Sequence, residues 1–465
     1  MNLSGKQVLV LGLGDTGLSM ARHLVRQGAR VRVADTRVNP PMAGRLTELL
    51  PGTLLHTGPF RAESFQKVDL IAISPGIDKR EPLIAKAAAN GVPLVGDVEL
   101  FAQAMNAKPK EKRPIVIGIT GSNGKTTVTT LVGEMCRSAG LKVVVAGNIG
   151  LPVLEAFAEA EQSGQPDVYI LELSSFQLET TSSLSLNAAT VLNVSEDHMD
   201  RYVNVTGYAT AKARIFRHAA IQVINRDDAR VLAMADRRKT IYSFGLRASS
   251  SDREWGVIRS GRDSFLAHGQ TQLMPVTDLT ITGAHNTANA LAALALVRAI
   301  DLPYPPTLEA LRTFKGLPHR VEKVMEINGV TYYDDSKATN VGATSAALSG
   351  MGAPIVLIAG GEGKGQDFSP LKDAIGKHAK AVILIGRDAP LLESAICSSQ
   401  VPIELSPSLR DAVHRAAAIA QPGDVVLLSP ACASFDMFRN YIHRAEVFID
   451  AVMELQRAHG EQHVL

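Results

Sequence analysis

The apolar run Ile115–Ile119 leads through Thr120 into Gly121-Ser122-Asn123-Gly124-Lys125-Thr126-Thr127, and a helical pattern follows over Val128–Ser138. No other stretch restricts the fold as strongly. A strand that turns through glycines into a helix N-terminus aims backbone N–H groups at one point, where phosphate oxygens bind. Lys125 adds a point charge there, and Thr126 a hydroxyl that can ligate magnesium. The strict loop of this kind has glycine where this chain has Ile119, so the turn is a shortened variant. A strand feeding a helix in this way belongs to a parallel sheet with crossover helices, which sets the class as α/β.

The same alternation recurs on both sides of the loop. Val8–Leu11, Val31–Ala34, Leu70–Ser74 and Pro93–Val95 read as parallel strands before it, and Val143–Ala146, Val168–Leu173, Thr190–Val194 and Val223–Asn225 as strands after it. A more β-like stretch over residues 240–280 precedes an Ala- and Leu-rich helix, Asn286–Ile300. The turn Gly316-Leu317-Pro318 then separates off a third series of strands: Thr331–Tyr333, Ile355–Ala359, Ala381–Ile385 and Val425–Leu428. A chain of 465 residues exceeds one hydrophobic core. The expected architecture is three α/β domains: Rossmann-like over 1–96, a central P-loop ATPase-type domain over 97–316, and a second Rossmann-like domain over 317–465.

Charge excludes some partners. Lys plus Arg is 48 against 46 Asp plus Glu, so no broad field of one sign draws the chain to nucleic acid or an anionic membrane. Cys136, Cys397 and Cys432 are odd in number and far apart, which argues against a disulfide framework and for a reducing compartment. Apolar runs are too brief for a signal segment or a membrane span, so a cytoplasmic protein without membrane insertion is expected.

Further residues with chemical potential stand at strand ends. Glu172 closes Asp167–Leu173 near its C-terminal end, where a magnesium-binding acid belongs. Asn193–Asp200 crowds three acids and His198 into a short span, as either a site or a helix N-terminus. Gly12-Leu13-Gly14-Asp15-Thr16-Gly17 follows the first strand, and Asp35 ends the second. That is the dinucleotide fingerprint, and it fits a nicotinamide-dependent dehydrogenase or any other diphosphate, including that of a nucleotide-linked sugar. In the last third, Asp334–Asn340, Gly360–Gly365 and Ser429–Asp436 each follow a strand, so Lys337, Thr339, Lys364 and Ser434 can converge on an anionic ligand.

Taken in order, Gly118–Thr127, Gly147–Gly150, Glu172–Leu178, Asn193–Tyr202, Gly283–Asn289, Pro318–Arg320, Asp335–Asn340 and Leu428–Asp436 resemble the Mur ligases of bacterial cell-wall synthesis over nearly the whole chain. Asp35-Thr36-Arg37, Ser74-Pro75-Gly76-Ile77 and Asp335–Asn340 look like the D-glutamate-adding branch. The resemblance implies an ATP-dependent amide ligase, expected to be a monomer, that acts on small molecules through an acyl phosphate. It implies that Gly14, Thr16, Asp35, Thr36, Arg37, Ser74 and Gly76 hold a UDP moiety, with Asn148 and His198 further along the nucleotide-sugar. ATP would occupy Gly121, Ser122, Asn123, Gly124, Lys125, Thr126 and Thr127, with Asn289, Arg320 and Asp335 completing its pocket. Two magnesium ions would use Ser122, Thr126, Glu172, His198 and a carbamylated Lys212; Lys125, Glu172, His198 and Lys212 are thus the expected catalytic group. D-Glutamate would meet Lys337, Thr339, Lys364, Ser434, Phe435 and Tyr441. Asp15 and Tyr441 depart from the pattern, which has an apolar residue and Phe at those places. Another Mur enzyme or a folylpolyglutamate synthase shares the central domain and is the alternative within the same chemistry.

Overall fold

The computed structural model describes residues 2–281 and 283–462. Its strands form three sheets. In the first, the order is Leu54–Thr57, Arg30–Asp35, Gln7–Leu11, Leu70–Ile73, Leu94–Val95, all parallel. The chain builds outward from Gln7–Leu11 in one direction and then, from Leu70–Ile73, in the other. The crevice at that reversal is where such sheets bind ligands, and the Gly12 turn and Ser74 leave its two strands side by side.

The central sheet has nine strands, with Ile115–Thr120 between Leu186–Val191 and Val168–Glu172. The stretch read as β-like supplies Thr240–Phe244, Glu254–Ser260, Asp263–His268 and Thr271–Pro275, and the last three are antiparallel neighbours. Helix Ala284–Arg298 has buried residues on all sides, as a helix apolar around its whole circumference must. Helix Asp97–Asn106 follows the first sheet but packs on the central one, Phe101 meeting Phe157 and Tyr169 at 5.7 and 5.3 Å between ring centroids. The third sheet places Val330–Asp334, Val425–Leu428 and Ile355–Gly360 side by side and parallel, so their following loops share one edge.

Sequence patterning misplaced one strand and missed three. The expected strand Thr190–Val194 is Leu186–Val191, because residues beyond it bond to the glycine loop instead of a neighbouring strand. Leu54–Thr57, Glu322–Ile327 and Ile403–Leu405 are short edge strands without a strong apolar run. No helix among the described residues is long and apolar enough to cross a membrane.

Candidate active site

The glycine loop is held open by its neighbour. Ser122 N–H donates to the Asn193 carbonyl at 3.0 Å and Asn123 N–H to Asn193 Oδ1 at 2.8 Å. Ser122 Oγ bridges to the Ser195 carbonyl and receives the Ser195 N–H, both at 3.0 Å. Gly124 has φ +81°, and a Cβ there would lie 2.5 Å from Asn289 Oδ1, so position and backbone both demand glycine. The segment Asn193–Asp200 thus packs against the glycine loop and is not a helix N-terminus; the next helix starts at Val205.

Lys125 Nζ folds back onto the carbonyls of Gly121 and Ser122, at 2.9 and 3.0 Å. Lys212 Nζ donates to the same Gly121 carbonyl at 2.8 Å and lies 4.4 Å from the Tyr208 ring centroid. Lys212 is 1% exposed, and burial, reinforced by the Lys125 charge, drives its pKa well below the ordinary lysine value. Glu172 is also buried; Asn148 donates to its Oε1 at 2.8 Å, while Oε2 finds no hydrogen-bond partner among the described residues. His198 occupies left-handed backbone, φ +59°, and burial pulls its pKa to about 4 against the raising effect of Asp197. Its ring is therefore neutral at pH 7. A non-glycine residue in that conformation costs energy that surrounding contacts must hold, and such residues cluster at functional sites.

The loop is covered by the third domain. Arg320 Nη2 donates to Thr126 Oγ1 at 2.9 Å, Asn340 Nδ2 to Asn123 Oδ1 at 2.9 Å, and Lys364 Nζ pairs with Asp197 Oδ1 at 2.6 Å. These bonds join the two domains across the loop. Two cavities remain between them. The smaller, about 170 Å3, is lined by Gly124, Thr127, His285, Asn289, Arg320 and Asp335, among others. Burial pushes the Asp335 carboxyl up to about 7, and Ser429 Oγ donates to its Oδ2 at 2.7 Å. The larger, about 930 Å3, brings together Ser122, Lys125, Thr126, Asn148, Glu172, His198 and Lys212 from the central domain with Lys337, Thr339, Lys364, Phe435 and Tyr441 from the third. Lys337 Nζ sits 3.6 Å from the Tyr441 ring centroid, and its pKa falls to about 8, through burial first and the Arg320 charge second. Ser434 is buried beside this cavity and does not line it.

The N-terminal residues form a separate group. Asp35 is 1% exposed; it takes the Leu13 N–H at 2.6 Å and a two-point contact from Arg37, at 2.8 and 2.6 Å. Burial opposes ionisation of Asp35, but these donors win and hold its pKa near 2. Asp35 thereby fixes the glycine turn and Arg37, while Thr36 and Gly76 stay exposed, and Gly14 caps helix Asp15–Arg26, in whose first turn Thr16 lies. Ser74 Oγ donates to the Gly12 carbonyl at 3.0 Å. Asp15 opens that helix as an exposed residue.

Sequence reasoning gave no role to Asn193, Asn340, Tyr208 or Phe176, all of which shape the loop or the cavity. Asn193 and Asn340 lie in motifs already singled out, but an asparagine that props a loop carries no separate signature.

Residues 6–96 match the Mur ligase MurD-like N-terminal domain, 119–297 the Mur ligase middle domain, and 319–432 the Mur ligase glutamate ligase domain. The UDP-N-acetylmuramoylalanine–D-glutamate ligase of Methylobacillus flagellatus is 57% identical, over 98% of this chain and 99% of its own. That of Thiobacillus denitrificans is 58% identical, over 98% of each chain. The chain belongs to the Mur ligase family. Among solved structures, the UDP-N-acetylmuramate-alanine ligase MurC of Thermotoga maritima matches this Mur ligase with a TM-score of 0.60 at 18% identity, covering 96% of this chain and 99% of that one. FolC of E. coli, in complex with ADP, reaches 0.56 at 19% identity, covering 83% and 99%. At such identities these two share the fold. The expected three-domain α/β architecture stands in this Mur ligase, and the dehydrogenase reading of Gly12–Gly17 falls away.

Proposed function

We propose that the protein joins D-glutamate to UDP-N-acetylmuramoyl-L-alanine at the expense of ATP, in the synthesis of peptidoglycan precursors. The observation that supports this most is the full-length identity of 57–58% to relatives that carry this activity in their names. The geometry agrees with it. The nucleotide-sugar runs from the crevice at Gly14, Thr16, Asp35, Thr36, Arg37, Ser74 and Gly76 toward Asn148 and His198. ATP lies along Gly121–Thr127, its base end in the cavity with Asn289, Arg320 and Asp335. D-Glutamate enters beside Lys337, Thr339, Lys364, Phe435 and Tyr441, with Ser434 behind them.

A carboxylate is a poor electrophile, so the γ-phosphoryl group first passes to the L-alanine carboxylate. Lys125 neutralises charge that develops on the phosphoryl oxygens. The D-glutamate amine then attacks the acyl phosphate, a tetrahedral intermediate forms, and phosphate leaves as the amide closes. Lys364–Asp197 and Asn340–Asn123 keep the domains together, which excludes water from an intermediate that hydrolyses easily.

Glu172 Oε2, which has no hydrogen-bond partner among the described residues, the Thr126 and Ser122 hydroxyls and neutral His198 are the groups that would hold magnesium here, mostly oxygen donors of the kind it takes. When bound, magnesium would screen the phosphate charges and orient the γ-phosphoryl group. Lys212 as an ammonium would repel them. Burial favours its neutral amine, to which carbon dioxide adds at Nζ with loss of one proton, and the resulting carbamate is an anionic ligand. We expect the enzyme to act as a monomer in the cytoplasm, where ATP and nucleotide-linked sugars are available.

The test is phosphate release from ATP and magnesium with UDP-N-acetylmuramoyl-L-alanine, comparing D-glutamate with L-glutamate, L-lysine and meso-diaminopimelate. Turnover with D-glutamate alone is expected. Turnover with a different amino acid moves the protein to another branch of the family.

A further inference from the structure

The turn after Asp197 carries two side chains that face different domains. The N–H groups of Arg201 and Tyr202 both donate to the His198 carbonyl, at 2.9 and 3.1 Å, which fixes Arg201 relative to the cavity-lining His198. The Arg201 guanidinium reaches the N-terminal domain. Nη1 donates to the Gly76 carbonyl at 3.4 Å, Nη2 to the Ile77 carbonyl at 3.3 Å, and Nε lies 3.4 Å from Asp78 Oδ2. Its carbon centre lies 4.4 Å from the Phe176 ring centroid. Phe176 stacks on Tyr202, with an interplanar angle of 6°, and meets His198 edge-on at 4.8 Å.

Asp78 is already gripped by Arg80 at 2.6 Å, so the ion pair is the lesser part of this contact. What Arg201 holds are two loop carbonyls and an aromatic face. A guanidinium is planar, permanently charged and carries its donors in a fixed fork, so it sets both the distance and the angle between the surfaces it joins. On one side is the loop Ser74–Asp78, assigned above to the nucleotide end; on the other is Phe176, in the cavity where the reacting carboxylate arrives.

We infer that Arg201 is a positioning residue that sets the span between the nucleotide crevice and the reaction cavity, and so selects nucleotide-sugars of one length. The inference rests on the ligase reading. It concerns this chain's own loop and turn, and no atom of Arg201 takes part in bond making.

The experiment uses full-length Arg201→Lys and Arg201→Met, with separate KM values for the nucleotide-sugar, ATP and D-glutamate. A second substrate, N-acetylmuramoyl-L-alanine 1-phosphate, lacks the uridine end. In both variants the nucleotide-sugar KM rises about tenfold, as loss of a part-buried cation–π and hydrogen-bond contact implies. The KM values for ATP and D-glutamate stay within about twofold. With the truncated substrate, parent and variants have the same kcat/KM, because nothing remains to span. Equal losses on both substrates, a common shift in all three KM values, or no change at all would each overturn the inference. Absence of D-glutamate turnover in the unsubstituted enzyme would sink the ligase reading instead, so the two failures are distinguishable.

Discussion

Both glycine turns follow a strand and open a helix, Gly12–Gly17 before Asp15–Arg26 and Gly121–Thr127 before Lys125–Ser138, and there the likeness stops. In the first, Asp35 takes the Leu13 N–H and grips Arg37, and Ser74 closes on the Gly12 carbonyl, so the polar groups are paired within the protein. In the second, Lys125 and Lys212 crowd onto one carbonyl, that of Gly121, and buried Glu172 keeps an oxygen without a partner among the described residues. Holding a phosphate that does not react asks only for backbone dipoles and a rigid turn. Moving a phosphate, as proposed for the second turn, asks for buried charges whose compensation arrives with the ligand, and the incomplete pairing there agrees with that proposal.

The widest separation between the turns is expected from Lys125→Met. Phosphate release falls about a thousandfold while nucleotide-sugar affinity, read by calorimetry, stays unchanged. A parallel loss of affinity would mean that the turns are not independent. Next is Glu172→Gln, which removes the orphan carboxylate: turnover drops about a hundredfold and half-maximal activity needs more magnesium. An unaltered magnesium requirement would take Glu172 out of the metal set. Smaller still is a pH effect from Lys337, whose pKa of about 8 lies below the ordinary lysine value. The free enzyme loses that positive charge as pH rises through 8, so kcat/KM for D-glutamate is flat below it and falls about tenfold per unit above it. A profile flat to pH 9.5 would remove Lys337 from amino-acid binding. The mildest change is Asp35→Asn, which keeps an acceptor for Leu13 but weakens the hold on Arg37. The nucleotide-sugar KM rises roughly fivefold with kcat intact, as loss of a charge-assisted contact predicts; a fall in kcat would show that the first turn also serves the chemistry.

Much of this site was legible because its parts obey local rules. A glycine turn needs positive φ or close approach, as at Gly12 and Gly124, and Glu172 had to stand at a strand end to reach the loop. The edge strands and the exact end of Leu186–Val191 were not legible. Edge strands need little apolar sequence, and the residues after Val191 look like strand but are claimed by Ser122 and Asn123. Ser434 shows the same limit from the other side: it lies in the right loop but is buried and does not line the cavity.

By itself the sequence determined the α/β class, the glycine loop between strand and helix and the identity of the residues that carry charge, since periodicity and turn chemistry act over a few residues. Only the tertiary structure decided their states. That Lys212 is starved of water, that burial pulls the His198 pKa down to about 4, and that Asp197 meets Lys364 across 167 positions of chain all depend on which surfaces the domains bury together. Desolvation and long-range pairing have no local pattern to be read, because the burial that produces them is assembled from segments far apart in sequence.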